Sequence, residues 1–210
     1  MEVKAIKNRC LMFSRKVDDW DLNAYLVKGE KHNFIIDTGL GSVDFNFIKK
    51  FADRRKQTII IITHYHWDHI WGNTKKYPII AHSLCRKMIL EKWDEMLGKF
   101  GQYANGKIEK AVPDITFDSE LYFEEDKIKL IYTPGHTIDS ISVIDETDKV
   151  LVAGDNIGDT VEEIVPVIYC EKSTYLETLK IYEKLDFDTC VSGHNTVLKK
   201  DVIQKIMEKI

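Results

Sequence analysis

Hydrophobic positions along the chain recur first with the period of strands, then with that of helices, and the two periods alternate. Short apolar runs at Leu11–Ser14, Leu22–Val27 and Asn33–Asp37, parted by polar turns such as Lys28–Lys31, predict a β-rich opening over residues 3–39. Val43, Phe47, Ile48 and Phe51 then fall at helical spacing behind a capping residue, Ser42, and predict a helix to about Arg54. Gln57–Thr63 contains an unbroken isoleucine run, Ile59–Ile62, which predicts a strand covered on both faces. Ile79–Ala81 is a further short strand. Leu84, Met88, Ile89, Trp93, Met96 and Leu97 describe one face of a helix from Ser83 to about Leu97, stopped near Gly98. The second half repeats the plan, with strands at Leu121–Phe123, Ile128–Thr133, Ser140–Ile144, Val150–Ala153 and Thr189–Ser192. A capping-box pair, Thr174 and Glu177, opens a helix with Leu176, Leu179, Tyr182 and Leu185 inward. Asp201 and Gln204 start a last one carrying Val202, Ile203, Ile206 and Ile210.

The polar residues that break this pattern are concentrated. Thr63–Asn73 reads T-H-Y-H-W-D-H-I-W-G-N and places His64, His66, Asp68 and His69 together at the end of the isoleucine strand. Imidazole nitrogen and carboxylate oxygen are preferred ligands of zinc and similar divalent ions. Residues two apart in an extended segment project to the same side, so His64 and His66 can grip one ion. Asp68 and His69, past a bend, can reach a second. Without such a partner, so many polar groups beside a core would be costly. Downstream, His136 in T-P-G-H-T, Asp155 in V-A-G-D-N and His194 in V-S-G-H-N each end an apolar run and follow a Gly. His82 has no partner at chelating spacing and precedes a helix start, so it reads as a hydrogen-bonded core or supporting residue. His32, in a Lys-rich turn, reads as a solvent residue.

The order H-x-H-x-D-H, then His, Asp and His, resembles the metallo-β-lactamase-fold superfamily of metallohydrolases. N-A-Y-L-V at Asn23–Val27 and I-I-D-T-G at Ile35–Gly39 resemble its opening strands, so the likeness covers essentially the whole chain. Periodicity alone leaves α/β and α+β open. The resemblance implies α+β: a four-layer αββα sandwich in a single domain, 1–210, with a substrate-lid insertion at about 83–117. It puts His64, His66 and His136 on one metal, Asp68, His69 and His194 on a second, and Asp155 between them. Asp37 would sit beneath, orienting a ligand or its loop while capping a turn. The implied cofactors are two divalent ions, zinc first, with iron and manganese as alternatives. The implied chemistry is attack of a metal-bridging hydroxide on a small ester or thioester carbonyl, with Asp68 passing the proton to the leaving group.

Within the superfamily, glyoxalase-II-like thioesterases share all seven ligands, although longer members bind glutathione partly through an added helical domain and here a short tail follows His194. Secreted β-lactamases commonly use Cys where Asp155 stands. Flavodiiron proteins carry Glu at the position of His66. A mono-iron dioxygenase acting on a thiol or persulfide and a phosphodiesterase remain alternative readings. A non-catalytic metal-stabilised binding module is disfavoured by the complete ligand set.

A 44% hydrophobic and 30% charged chain suits a globular protein, and a net charge of −4 implies no basic surface for nucleic acid. The expected partner is a small-molecule substrate, with no nucleic acid and no membrane; oligomeric state is left open. No run has the length of a membrane span, and the first residues lack a signal-peptide core. Cys10, Cys85, Cys170 and Cys190 form no C-x-x-C pair, which points to a reduced, cytoplasmic setting with small buried thiols. Cys190 stands out through its nearness to His194. Trp93, Phe100 and Tyr103, with Trp67 and Trp71 as rim partners, are candidate substrate contacts, and Gly98, Gly101 and Gly106 can let the segment move. The same aromatics equally suit a stripe packed on the core.

Overall fold

Successive strand residues point to opposite faces, and most strands here are apolar on both, so each sheet needs a cover on either side. The computed structural model describes residues 1–210. One sheet holds β1 (Glu2–Ala5), β2 (Cys10–Val17), β3 (Trp20–Lys28), β4 (His32–Ile36), β5 (Gln57–Ile61), β6 (Ile79–His82) and β7 (Ile115–Phe117), side by side in that order. Pairing is antiparallel up to β4 and parallel from β4 to β7. The other sheet holds β8 (Glu120–Phe123), β9 (Ile128–Tyr132), β10 (Ile141–Asp145), β11 (Val150–Val152), β12 (Thr189–Val191) and β13 (Leu198–Lys199), again in sequence order. Only β11 and β12 run parallel there.

The isoleucine run shows how the layers form. Ile59 and Ile61 enter the core between the sheets, against Leu130 and Val143. Ile60 and Ile62 point outward to α1 (Ser42–Lys49) and α3 (Ser83–Phe100), meeting Ile48 and Ile89. Each fully buried isoleucine contributes roughly 1.5–3 kcal/mol, so the run binds both layers to one strand. On the far side, Leu151 and Cys190 pack under Tyr175, Leu179 and Tyr182 of α4 (Lys172–Lys184) and Ile203 and Ile206 of α5 (Val202–Lys209). The result is the α+β, αββα sandwich. No helix is long and apolar enough to cross a membrane.

Several expected details differ. The first helix ends at Lys49, and Gly41 occupies its cap position; the Ser42 hydroxyl instead accepts the Lys107 amide at 2.9 Å. α3 runs through Gly98 to Phe100 because nothing crowds that glycine and the helix continues at the modest cost of one Gly. α4 begins at Lys172, so Thr174 and Glu177 lie inside it without a capping box, and Glu177 pairs with Lys180 at 2.6 Å. His32 is not a solvent residue: its Nδ1 bonds Asp126 Oδ2 at 2.7 Å and its ring packs near Phe34 and Phe123.

Candidate metal centre

Parallel pairing of β4 with β5 brings their C-terminal ends together, the usual place for a site in such sheets. Asp37 follows β4 in the left-handed region, at φ 58°. Its carboxylate accepts the Thr63 amide at 2.8 Å and the Thr63 hydroxyl at 2.7 Å, and bonds His69 Nδ1 at 2.7 Å. The His69 carbonyl in turn accepts the Thr38 amide and hydroxyl. Both ends of the loop bearing the first four candidate ligands are therefore tied to the end of β4. His66 keeps extended backbone and ends that loop, and a single helical turn, α2 (Trp67–Ile70), swings Asp68 and His69 to the other side.

The remaining candidate ligands come from turns of the second sheet. The His136 amide donates to Asn156 Oδ1 at 2.9 Å, and Asn156 donates to the Thr133 carbonyl at 2.7 Å, so the His136 and Asp155 turns are fixed to each other. Gly154, at φ 56°, gives the backbone the turn that presents Asp155. Gly193 is required by crowding: a Cβ there would lie 2.1 Å from Asp155 Oδ1 and 2.7 Å from His69 Cε1.

All seven expected residues converge. His64, His66, His136 and Asp155 form one group and Asp68, His69 and His194 another, each with ligand atoms within 4.8 Å of one another. Asp155 faces both. Its Oδ2 lies 3.6 Å from the Nε2 atoms of His64 and His136 and 3.1 Å from His194 Nε2, and its Oδ1 lies 3.4 Å from His69 Nε2. Asp68 Oδ2 is 3.5 Å from His194 Nε2 and 3.6 Å from His69 Nε2.

The donor set fits divalent metal. His136 Nδ1 donates to the Val167 carbonyl at 2.7 Å and His194 Nδ1 to the Asp21 carbonyl at 2.8 Å. A carbonyl can only accept, so in the neutral, metal-binding ring each Nε2 presents a lone pair inward; Asp37 does the same for His69. His69 Nε2 and Asp155 Oδ1 are buried and lack hydrogen-bond partners, as ligand atoms awaiting a cation would be.

Protein charges alone pull the site in opposite directions. Burial, helped by His69, drives His64 well below the usual histidine range, and burial with His136 lowers His66 to about 3. Burial opposes charge on His194 too, but Asp155 and Asp68 outweigh it and raise it to about 9. Burial raises Asp68, with His69 and His194 only partly offsetting it.

These groups floor a cleft of about 510 Å³. One wall is α3, through Lys92, Glu95, Met96, Lys99 and Phe100. Trp67 stacks with Phe100, at 4.9 Å and 12°, and with Tyr103, at 5.3 Å and 29°. Two expected contacts are instead core: Trp93 is 6% exposed and Trp71 fully buried, both packed under the first sheet. The opposite wall, missed in the sequence, comes from the stretch after Asp155, with Asp159, Pro166, Val167 and Tyr169. Tyr169 is 68% exposed and meets His66 at 5.9 Å and His136 at 5.4 Å edge-on. The available signal was Val165–Tyr169, V-P-V-I-Y, an apolar run without period beside a ligand.

His82 and Cys190 lie outside the centre. His82 Nδ1 accepts the Leu84 amide, Nε2 meets the Asp118 carbonyl, and the ring stacks on Tyr132 at 4.0 Å. Cys190 packs beneath α4 and α5, where burial pushes its thiol up to about 12.

Residues 17–194 match the Metallo-beta-lactamase superfamily. A beta-lactamase-like protein 2 homolog of Caenorhabditis elegans is 30% identical over 204 residues, covering 90% of this chain and 60% of its own length. An atrochrysone carboxyl ACP thioesterase of Aspergillus fumigatus is 23% identical over 84% of this chain and 38% of its own. A hydroxyacylglutathione hydrolase of Francisella philomiragia is 28% identical over 68% of this chain and 52% of its own. The chain thus spans between about a third and two thirds of these relatives. Among solved structures, a metallo-beta-lactamase from Pontibacter korlensis superposes with a TM-score of 0.75 over 100% of this chain and 99% of that one, at 16% identity. With the fold, the convergent histidines and aspartates and the match over most of its length in agreement, this chain belongs to the metallo-beta-lactamase superfamily.

Proposed function

We propose that the chain is a dinuclear metal-dependent hydrolase, of zinc type, that cleaves a small ester or thioester. The observation that carries this reading is the place of Asp155 between the two histidine groups: its Oδ2 lies near His64, His136 and His194, and its Oδ1 near His69. His64, His66 and His136 would hold one ion and Asp68, His69 and His194 the other, with Asp155 shared. Bound there, the ions would supply activated water and polarise a carbonyl. A thioesterase and a hydroxyacylglutathione hydrolase among the relatives support the substrate class.

The chain's own side chains do the rest. Asp68 lines the cleft beside the second group, where its carboxylate can take a proton and return it to a leaving group. Trp67, Phe100, Val167 and Tyr169 offer apolar surface on both sides of the floor, which suits a substrate with an apolar acyl or thiol portion. Asp37, Asp21 and Val167 hold the imidazoles in one tautomer.

Metal content of protein purified without added metal, paired with a panel of esters, thioesters and lactones, tests the reading. Close to two ions per chain and thioester or ester turnover are expected. Asp155→Asn should bind the second ion much more weakly, because the shared negative charge is gone and the NH2 cannot ligate a cation. Saturation at one ion in metal excess would defeat the dinuclear reading, and a single iron with thiol oxidation in place of hydrolysis would replace it with a dioxygenase.

A further inference from the structure

At the opposite end of the first sheet, where β5 and β6 begin, a second groove of about 770 Å³ lies between the end of α1, the turn before β5 and Lys76–Pro78. A depression of about 410 Å³ continues it past Lys107, with Lys49, Lys76 and Tyr77 common to both. Thr58 stands near the start of β5 and His64 beyond its far end. At roughly 3.3 Å per residue, about 20 Å separates this groove from the metal centre.

Its lining is strongly cationic. Lys49, Lys50, Arg54, Lys56, Lys76 and Lys107 face Asp53 and Glu109 as the lone acids. Both acids are already engaged. Asp53 is gripped by Arg55 at 3.0 and 2.8 Å, and Glu109 accepts the Lys75 amide at 2.9 Å. None of the six cations takes part in a salt bridge. Lys49 lies over the Tyr77 ring at 4.8 Å, Lys50 over the Phe47 ring at 5.7 Å, and Lys56 donates to the Gly29 carbonyl at 2.6 Å, so three of them are held by neutral partners.

A solvated basic face is the ordinary explanation, and for Lys49 and Lys50 the helix C-terminus supplies part of one. It does not reach Arg54, Lys56, Lys76 or Lys107. The whole chain carries a net charge of −4, so the cations are gathered against the average. Like charges around one concavity repel each other and focus a positive field into it. Asp53, close to Lys56, and Glu109, close to Lys76, offset that only in part.

We propose that this groove binds a small oligophosphate anion, two or three linked phosphates as found inorganically or on a nucleotide. Lysine and arginine together are the usual recognition set for phosphate. The groove's volume is that of a small-ligand site. A long polyanion would run past both ends of the groove, whereas a short one is contained in it.

The inference is independent of the hydrolase reading, and its test keeps the two apart. Tripolyphosphate, ATP, orthophosphate and a single-stranded oligonucleotide are titrated calorimetrically into the whole chain at low salt. Saturable one-to-one binding of tripolyphosphate or ATP is expected, weakening with added salt, and at least about tenfold weaker in Lys50→Glu/Lys76→Glu. ATP tighter than tripolyphosphate assigns the anion to a nucleotide, and the reverse to an inorganic source. Both lysines are exposed, so melting temperature should not change; Lys50→Gln/Lys76→Gln serves if it does. A His64→Ala/His194→Ala variant should bind the anion normally. No saturable binding, binding lost in that metal-centre variant and kept in the lysine variants, or an oligonucleotide bound more tightly than either oligophosphate would each overturn the proposal.

Discussion

Asp37→Asn isolates the support beneath the metal centre from the centre itself. Asparagine keeps the size of the side chain and tolerates the left-handed backbone at φ 58°. The change lies in donors and acceptors. Asp37 accepts two bonds from Thr63 and one from His69, using both carboxylate oxygens as acceptors. An amide has one oxygen. If that oxygen serves the Thr63 amide, the NH2 faces His69 Nδ1, which must then become the acceptor and move its proton to Nε2. The lone pair aimed at Asp155 and Asp68 disappears. If the amide is turned the other way, its NH2 meets the Thr63 N–H head-on in a buried place.

Either arrangement loses about one charge-assisted hydrogen bond, roughly 1.5–3 kcal/mol. For a chain of this size, with about 2–4 °C per kcal/mol, the melting temperature in chelator should fall by about 3–12 °C. Affinity for the ion held by His69 should fall about 10–100-fold, as expected when the partner of a ligating imidazole is removed. Competition of zinc against a chromophoric chelator measures the second quantity, and thermal melts in EDTA the first. A lower melting temperature with unchanged zinc affinity would refute the positioning role and leave Asp37 a purely structural residue.

Other outcomes follow from the same geometry. Trp93→Ala, at a site 6% exposed in the core, should cost about 3–5 kcal/mol of stability without reordering substrates. Tyr169→Ala, on an exposed rim, should stay within about 0.5 kcal/mol of the parent in stability while changing KM or substrate ranking; an unchanged panel would remove Tyr169 from the wall. Asp139 is buried, makes no full hydrogen bond, and is raised by burial to about 6, with Thr137 and Cys85 offsetting only in part. A folded value above the unfolded one means the contribution is complete below about pH 4 and is lost as pH rises through 6. Asp139→Asn should therefore flatten stability between those values in thermal melts followed against pH; an unaltered slope would show that another group titrates.

Which parts of the centre are legible in the sequence depends on how local their cause is. His64 and His66 announce themselves because chelation across two residues is a short-range property, and Gly154 marks Asp155 because its φ acts on the next residue; the crowding that requires Gly193 comes instead from Asp155 and His69, far off in the chain. The isoleucine run likewise carries its double burial in its composition. Asp37 is reached by resemblance, yet its three bonds show why a turn-forming aspartate and a ligand support are one residue. The partners of His136 and His194 are different in kind. They are the backbone carbonyls of Val167 and Asp21, groups that every residue possesses and no residue type signals. Trp93 and Trp71 were ambiguous for a related reason, since helical spacing gives a face but not which layer covers it. The second cleft wall stays hidden because residues 159–169 have no period to read; the His136–Val167 bond is what joins that stretch to the centre. The basic groove escapes by averaging. Net charge sums over the chain, whereas a field depends on where the charges stand, and a chain of −4 can still hold six unpaired cations around one concavity.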